Sequence, residues 1–248
     1  MKNIYAIILA AGKGTRMNAT DIPKVMFPVA GKPMIRYVLS TVQKITKNIY
    51  VIVGFQGQKV IDELKGENIT FVWQRRQLGT AHAVAQARKY LQGKSGFVLV
   101  TNGDHPLFST PSIKVLIKKA MSAGEKLVFA SAIEDNHTAY GRVLRDKKDN
   151  VQGIVEAKDA TPAQLKIREK NPGMYLIDNK WLWSAIKRIN KSKVSGEYYV
   201  TDLVELALKD KVGVGAYPIK NPNEMKGINT PQELKEVENI ICGHPERE

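Results

Sequence analysis

Ile4-Tyr5-Ala6-Ile7-Ile8-Leu9-Ala10 runs directly into Ala11-Gly12-Lys13-Gly14-Thr15-Arg16-Met17. The unbroken apolar run reads as a strand buried on both faces. A glycine-rich loop at the end of such a strand lets the backbone fold close to a bound group, and its exposed N–H groups can cradle a phosphate. Two familiar phosphate loops are excluded. A dinucleotide fingerprint needs a third glycine where Met17 stands. A Walker A loop built on Gly93-Lys94-Ser95 needs its first glycine where Arg88 stands. What remains is Gly14-Thr15-Arg16, followed after a short loop by Pro23-Lys24. An arginine and a lysine thus join a nest of backbone donors at the C-terminal edge of a sheet, where α/β folds bind ligands. The competing reading is a tight strand-to-loop turn whose charges face solvent.

Outward from this loop, short apolar runs alternate with longer amphipathic ones. Strands are expected over Ile49–Gly54, Ile69–Trp73 and Phe97–Thr101. Helices are expected over Pro33–Ile45, Gln58–Leu64 and Thr80–Leu91. Such alternation gives an α/β fold, a mostly parallel sheet with helices on both faces. Thr110-Pro111 and Thr230-Pro231 each place a capping hydroxyl before a proline, and Glu233 completes a capping-box spacing with Thr230. Beyond residue 126 the runs shorten. Leu127–Ile133, Gly141–Leu144, Val151–Val155 and Met174–Ile177 predict a small mixed or antiparallel extension forming a lid or wall at the sheet edge. Helices follow over Lys180–Ile189 and Asp202–Lys209, then a strand over Val212–Pro218. A last helix spans Pro231 to Ile241, with a frayed tail from Gly243. No internal repeat or flexible linker is present.

The 248-residue chain can bury a large core, and 43% hydrophobic residues is an ordinary globular composition. The single cysteine, Cys242, excludes an internal disulfide and fits a reducing compartment. The first apolar run is too short for a membrane span and lacks a cleavage site, so a cytoplasmic protein without membrane attachment is expected. A net charge of +14 draws polyanions, but its lysines and arginines are dispersed and form no basic tail. The plain reading of such dispersed charge is a solvated, soluble surface; it lends only weak support to a nucleotide substrate, and no nucleic-acid-binding motif accompanies it.

The motif from Leu9 to Met17, with Pro23-Lys24-Val25, resembles the signature of the sugar nucleotidyltransferases. Further segments are similar, in the same order, to the uridylyltransferase domain of the N-acetylglucosamine-1-phosphate uridylyltransferases. These are Gln74-Arg75-Arg76-Gln77-Leu78-Gly79-Thr80-Ala81-His82, Gly103-Asp104-His105-Pro106-Leu107, Tyr140-Gly141-Arg142, Val155-Glu156-Ala157-Lys158-Asp159-Ala160, Asn171-Pro172-Gly173, Gly196-Glu197-Tyr198-Tyr199-Val200-Thr201-Asp202 and Gly227-Ile228-Asn229. The first motif is shared widely. The Glu156–Ala160 and Glu197–Asp202 segments are more selective.

The resemblance implies a Rossmann-like core over residues 1–229, with the mixed-strand extension binding sugar and residues 230–248 forming a C-terminal helix and tail. Bifunctional relatives add an acetyltransferase β-helix, and no hexapeptide repeat for one occurs here. It also implies the reaction of UTP with N-acetylglucosamine-1-phosphate, giving UDP-N-acetylglucosamine and pyrophosphate with Mg²⁺. Arg16, Lys24 and Asp104 carry the catalysis. Leu9, Ala10, Ala11, Gly12, Gly14, Thr15, Arg16, Lys24, Gln74, Gly79 and Thr80 hold the nucleotide, with Gln74 reading uracil by donating and accepting together. Gly141, Glu156, Asn171, Tyr199 and Thr201 surround the sugar, and Lys158 contacts phosphate. Asp104 and Asn229 hold the metal, which arrives with the nucleotide because so few protein oxygens make a poor site alone. His82 and His105 are given structural roles. Oligomeric state is not legible.

The chain departs from close relatives at Ala81, Asn102 and Pro172, positions that touch the base and sugar pockets. Alternatives are therefore a transferase using glucose-1-phosphate with UTP or dTTP, and a non-catalytic nucleotide-sugar-binding regulatory subunit. The latter should have lost the charged positions, and Arg16, Lys24, Asp104 and Asn229 are all present.

Overall fold

The computed structural model describes residues 3–17, 21–135 and 139–243. Gly243, expected to open the tail, is the last residue of the final helix, and residues 244–248 of that tail lie outside the described residues. The strands are β1 (Ile4–Ala10), β2 (Pro28–Val29), β3 (Lys32–Pro33), β4 (Ile49–Val53), β5 (Thr70–Trp73), β6 (Phe97–Asn102), β7 (Leu127–Ile133), β8 (Gly141–Arg145), β9 (Val151–Val155), β10 (Glu169–Asn171), β11 (Tyr175–Asp178) and β12 (Val214–Pro218). The helices are α1 (Met34–Gln43), α2 (Gly57–Glu63), α3 (Thr80–Gln86), α4 (Arg88–Leu91), α5 (Thr110–Ala123), α6 (Pro162–Leu165), α7 (Asn179–Ala185), α8 (Asp202–Lys209) and α9 (Pro231–Gly243).

The main sheet runs β5-β4-β1-β6-β11-β7-β10-β8-β9, with β12 also on β7. Strands β5, β4, β1 and β6 are mutually parallel, and β12 is parallel to β7. The unbroken apolar run of β1 has its explanation in the two cores. Tyr5 and Ile7 pack into one with α3, α7 and α8, while Ala6, Ile8 and Ala10 face the other with α1, α2 and α5. A smaller cluster seats α9 through Val237 against Met17, Val29 and Met34.

Three expectations are corrected by the structure. The second-half strands do not all form an extension. Strand β11 lies antiparallel between β6 and β7 in the middle of the sheet, and only β10, β8 and β9 reach outward. The reason is burial: every residue of β7 except Ile133 is buried, so this strand needs partners on both edges. The helix expected over Thr80–Leu91 is two helices, because the ladder tightens where the N–H of Ala87 reaches Val84 O (3.0 Å). The cap of α5 is Ser109, not Thr110; its hydroxyl accepts from Ser112 N at 3.3 Å. The box at α9 forms as expected, with Glu233 N donating to Thr230 Oγ1 and Thr230 N to Glu233 Oε2. Strand β10 and the capped turn of α6 had no apolar pattern to announce them.

Asn179, fully buried, ties α7 to the segment after α4. Its amide donates to Leu91 O (2.7 Å) and Lys94 O (2.8 Å), and its Oδ1 accepts from Trp183 Nε1 (2.7 Å). Asn179→Ala leaves these three buried groups unpaired, and each orphan costs about 1–3 kcal/mol. The variant should lose about 3 kcal/mol or more in urea denaturation. A loss near zero would show that water replaces the amide.

Candidate active site

Register explains why the glycine-rich loop and Asp104 meet. Leu9 pairs with Asn102 across β1 and β6, and Gly103 N donates to Leu9 O (2.8 Å), extending the ladder by one step. The next residue, Asp104, therefore leaves the sheet beside the loop that follows β1.

That loop turns at Gly14, whose φ is +68°; a methyl there would lie 2.5 Å from Lys24 Cβ. A bare α-carbon thus serves both the left-handed turn and the approach of the Pro23-Lys24 segment. Lys24 opens a short 3₁₀ turn, Lys24–Met26, and points its ammonium at Asp104. Nζ forms a close ion pair with Asp104 Oδ2 and donates to Asn229 Oδ1 at 3.0 Å. Exposed Arg16 donates to the same Asn229 oxygen at 2.9 Å. The other carboxylate oxygen, Asp104 Oδ1, lies 2.8 Å from His105 Nδ1. Burial alone would raise the Asp104 pKa, but the charge of Lys24, with His105 beside it, outweighs that and holds the carboxyl well below the usual range.

Two cavities open on this point. One, of about 350 Å³, is lined by Leu9, Ala11, Gly12, Gly14, Thr15, Lys24, Gln74, Gly79, Thr80 and Asp104, among others. The second, of about 280 Å³, is lined by Arg16, Asp104, Gly141, Glu156, Asn171, Tyr199, Thr201 and Asn229, among others. Leu9, Thr80, Asn102 and Asp104 belong to both. Most of the expected nucleotide and sugar residues thus separate into adjoining compartments, while Leu9 and Thr80 line both and two others depart from the expectation. Arg16 lines the second cavity, and Ala10 lines neither because its methyl faces the core. Lys158 is on the surface, 3.6 Å from Glu197, and lines neither cavity.

Gln74 is buried, and its Nε2 serves Gly79 O (3.1 Å) and His82 Nδ1 (2.9 Å). This alters the expected role, in which the amide donates to a base as well as accepting. Its donors are already used, leaving Oε1 as the acceptor. Burial, with the charge of Arg76, lowers the His82 pKa, so the ring is neutral and Nδ1 can accept. In the second cavity, Asn171 Oδ1 accepts from Gly173 N (2.6 Å), and its amide exchanges hydrogen bonds with the buried Tyr175 hydroxyl at 2.9 and 3.1 Å. Thr201 Oγ1 donates to Glu156 Oε1 at 2.9 Å. Burial pushes the Glu156 carboxyl upward despite that bond, and Asp202, Asp159 and Glu197 add to the rise. Tyr175 escaped the sequence analysis, as did the links from His82 to Gln74 and from His105 to Asp104. Tyr175 reads as one more apolar residue of a strand, and the histidines carried no signal beyond their place in motifs.

Among the described residues no group of three or more histidine, cysteine, aspartate or glutamate side chains could hold a metal. Asp104 and Asn229 nevertheless fit a hard cation in chemistry and placement. A carboxylate oxygen and an amide oxygen already converge on one positive charge, the Lys24 ammonium. Two protein oxygens suit an ion that takes its remaining ligands from phosphate and water. No helix among the described residues is long and apolar enough to cross a membrane.

A family model described as nucleotidyl transferase matches residues 5–221. The bifunctional protein GlmU of Geobacillus thermodenitrificans (strain NG80-2) is 40% identical over 238 residues, covering 96% of this chain and 51% of that protein. Its namesake from Ruthia magnifica subsp. Calyptogena magnifica is 41% identical over 241 residues, covering 97% of this chain and 52% of that protein. The chain thus spans about half the length of the curated relatives it matches. A solved structure from Bacillus anthracis, provisionally described as a glucose-1-phosphate thymidylyltransferase in complex with a sucrose, has a TM-score of 0.77. It is 21% identical, covers 96% of this chain and 95% of that one, and speaks for the fold alone. With the family model spanning most of its residues, the chain belongs to the nucleotidyl transferase family.

Proposed function

We propose that the chain joins UTP to N-acetylglucosamine-1-phosphate, releasing pyrophosphate and forming UDP-N-acetylglucosamine. The observation that carries this reading is the meeting of two cavities at Asp104, with Lys24, Arg16 and Asn229 gathered at the junction. A reaction between two phosphate-bearing substrates needs such a place. A phosphate oxygen of the sugar phosphate attacks the α-phosphorus of the triphosphate. The bond from that phosphorus to the bridging oxygen breaks, and pyrophosphate leaves with the electron pair. No covalent intermediate with the chain is required, so positioning and charge neutralisation supply the rate.

Lys24 and Arg16 neutralise phosphate oxygens, the lysine as a point charge and the arginine as a fork. Backbone N–H groups of the turn from Ala11 to Thr15 face the triphosphate. Gln74 Oε1 accepts from the base, and the N3–H of uracil is a donor of the kind it requires. Glu156, Asn171, Tyr199 and Thr201 receive the sugar hydroxyls and the acetamido group. Asp104 and Asn229 would hold Mg²⁺, which supplies further neutralisation of phosphate charge when bound.

A substrate panel scored by pyrophosphate release in the presence of Mg²⁺ should favour UTP with N-acetylglucosamine-1-phosphate. A clear preference for glucose-1-phosphate or dTTP would replace this pair within the same reaction. Lys24→Ala should reduce kcat/KM by on the order of 10²–10³, the range for one lost transition-state charge contact. A near-normal rate would place Lys24 outside the chemistry.

Glu156 gives a prediction for pH. Its folded carboxyl holds a proton more tightly than the unfolded chain does, so its contribution to stability is present at low pH. That contribution is lost as pH rises from the ordinary carboxylate range through the folded value. Glu156→Gln keeps the acceptor for Thr201 and removes the buried charge. It should melt above the wild type near pH 8, match it near pH 4, and lose transferase activity. The same Tm difference at both values would mean that the carboxylate is stabilised by something other than its surroundings described above.

A further inference from the structure

Asp104 lies just beyond β6 and Asn229 precedes α9, so their oxygens converge only if two distant segments are held in register. The Ile228 N–H donates to Asp104 O at 3.0 Å. The other join is a histidine ring. His105 is 4% exposed and stacks on Phe108, with ring centres 5.4 Å apart and planes at 12°. On its opposite edge it meets the Asn229 segment at Gly227, where a methyl would fall 2.5 Å from the ring. Tyr140 leans on the same ring at 5.9 Å. Its hydroxyl accepts from Gly227 N (2.6 Å) and donates to Met225 O (2.9 Å), pinning that segment in place.

A phenylalanine would fill this space. The imidazole instead leaves its buried Nε2 without a hydrogen-bond partner among the described residues, which is costly. What the imidazole gains is the 2.8 Å contact from Nδ1 to Asp104 Oδ1. An ionised carboxylate can only accept, so Nδ1 carries the proton.

We propose that His105 is a positioning residue for the cation site. By donating Nδ1–H to Asp104 Oδ1, it fixes the plane of the carboxylate and keeps Oδ2, the oxygen paired with Lys24, beside the Asn229 oxygen on the same ammonium. The ring also spaces the two segments that supply those oxygens. The inference rests on the nucleotidyl-transfer reading of the cleft and gives His105 a part in it beyond filling the core.

The test uses Mn²⁺ as the probe ion, read from the electron paramagnetic resonance signal of the free ion, with UTP present and UTP binding measured separately by calorimetry. His105→Phe keeps the ring and removes the donor. It should weaken Mn²⁺ binding by roughly 10- to 100-fold, the range for loss of an outer-shell partner. His105→Asn places Nδ2 where Nδ1 stood and should restore most of that affinity. Unchanged Mn²⁺ affinity in His105→Phe, or equal losses in both variants, would overturn the role of the hydrogen bond. A wild-type protein that fails to bind UTP would instead overturn the reading of the cleft, and this inference with it. Should His105→Phe not fold, the ¹⁵N shifts of His105 in the wild-type protein decide. A proton on Nδ1 supports the proposal, and a bare Nδ1 overturns it.

Discussion

The buried ion pair of Lys24 and Asp104 constrains everything around it. A carboxylate only 14% exposed at the end of a central strand is tolerated only when paired and hydrogen-bonded on both oxygens. Lys24 covers one oxygen and His105 the other. To deliver Lys24, the chain must turn back on itself after β1, which is why Gly14 presents no side chain to the lysine stem. To deliver Asn229 to the same ammonium, the segment before α9 must return to the sheet edge. There it is held by the Glu233 carboxylate, which accepts from the N–H groups of Asn229 and Thr230. The capping box of α9 therefore fixes a site residue as well as a helix end.

Packing on both sides of the sheet makes this edge rigid. Strand β1 lies between β4 and β6 with helices over each face, so its C-terminal end has little freedom to shift. The glycine-rich loop inherits that fixed origin, and the carboxylate inherits the same origin through β6. The antiparallel insertion of β11 between β6 and β7 then brings Tyr175 under the second cavity, where its hydroxyl bonds to Asn171. The mixed topology thus supplies the second compartment from the same sheet as the first.

Much of this was legible in the chain of residues, and the limits have physical causes. The parallel strands announced themselves because strands buried on both faces are apolar without interruption. Residues 4–10 could be bounded correctly from that fact alone. Grouping of the candidate side chains followed from motifs that sit at strand ends. By contrast, β10 contains Glu169, Lys170 and Asn171, and its burial comes from neighbouring strands rather than from its own composition. No local pattern can reveal a strand of that kind. The place of β11 was hidden for a related reason: apolar runs show that a strand is buried but not which strand lies beside it. The same limit applies to Gln74, whose residue type predicts both donor and acceptor. Only the fold shows that Gly79 O and His82 Nδ1 already take the donors.

The net charge of +14 proves a poor guide to the site, and the reason is instructive. Most of the positive charge is dispersed over the surface, whereas the cleft works through a few cations held at short range by acceptors. Lys24 and Arg16 share one amide oxygen, and Lys24 is further paired with Asp104, so the charge of Lys24 is largely spent inside the cleft while Arg16 stays exposed at its rim. Across Asp104 the character of the lining changes. The cavity beside the loop offers backbone donors and ammonium charge, suited to a polyanion. The cavity beside Glu156 offers a buried carboxyl, an amide and hydroxyls, suited to a polyol whose hydroxyl groups both donate and accept. A carboxyl placed among Asp202, Asp159 and Glu197 costs stability at neutral pH, and the fold accepts that cost at a position with one hydrogen-bond partner already supplied by Thr201. The two compartments thus differ in the sign and strength of what they can bind, and the charged residue that lines both is the aspartate at their boundary.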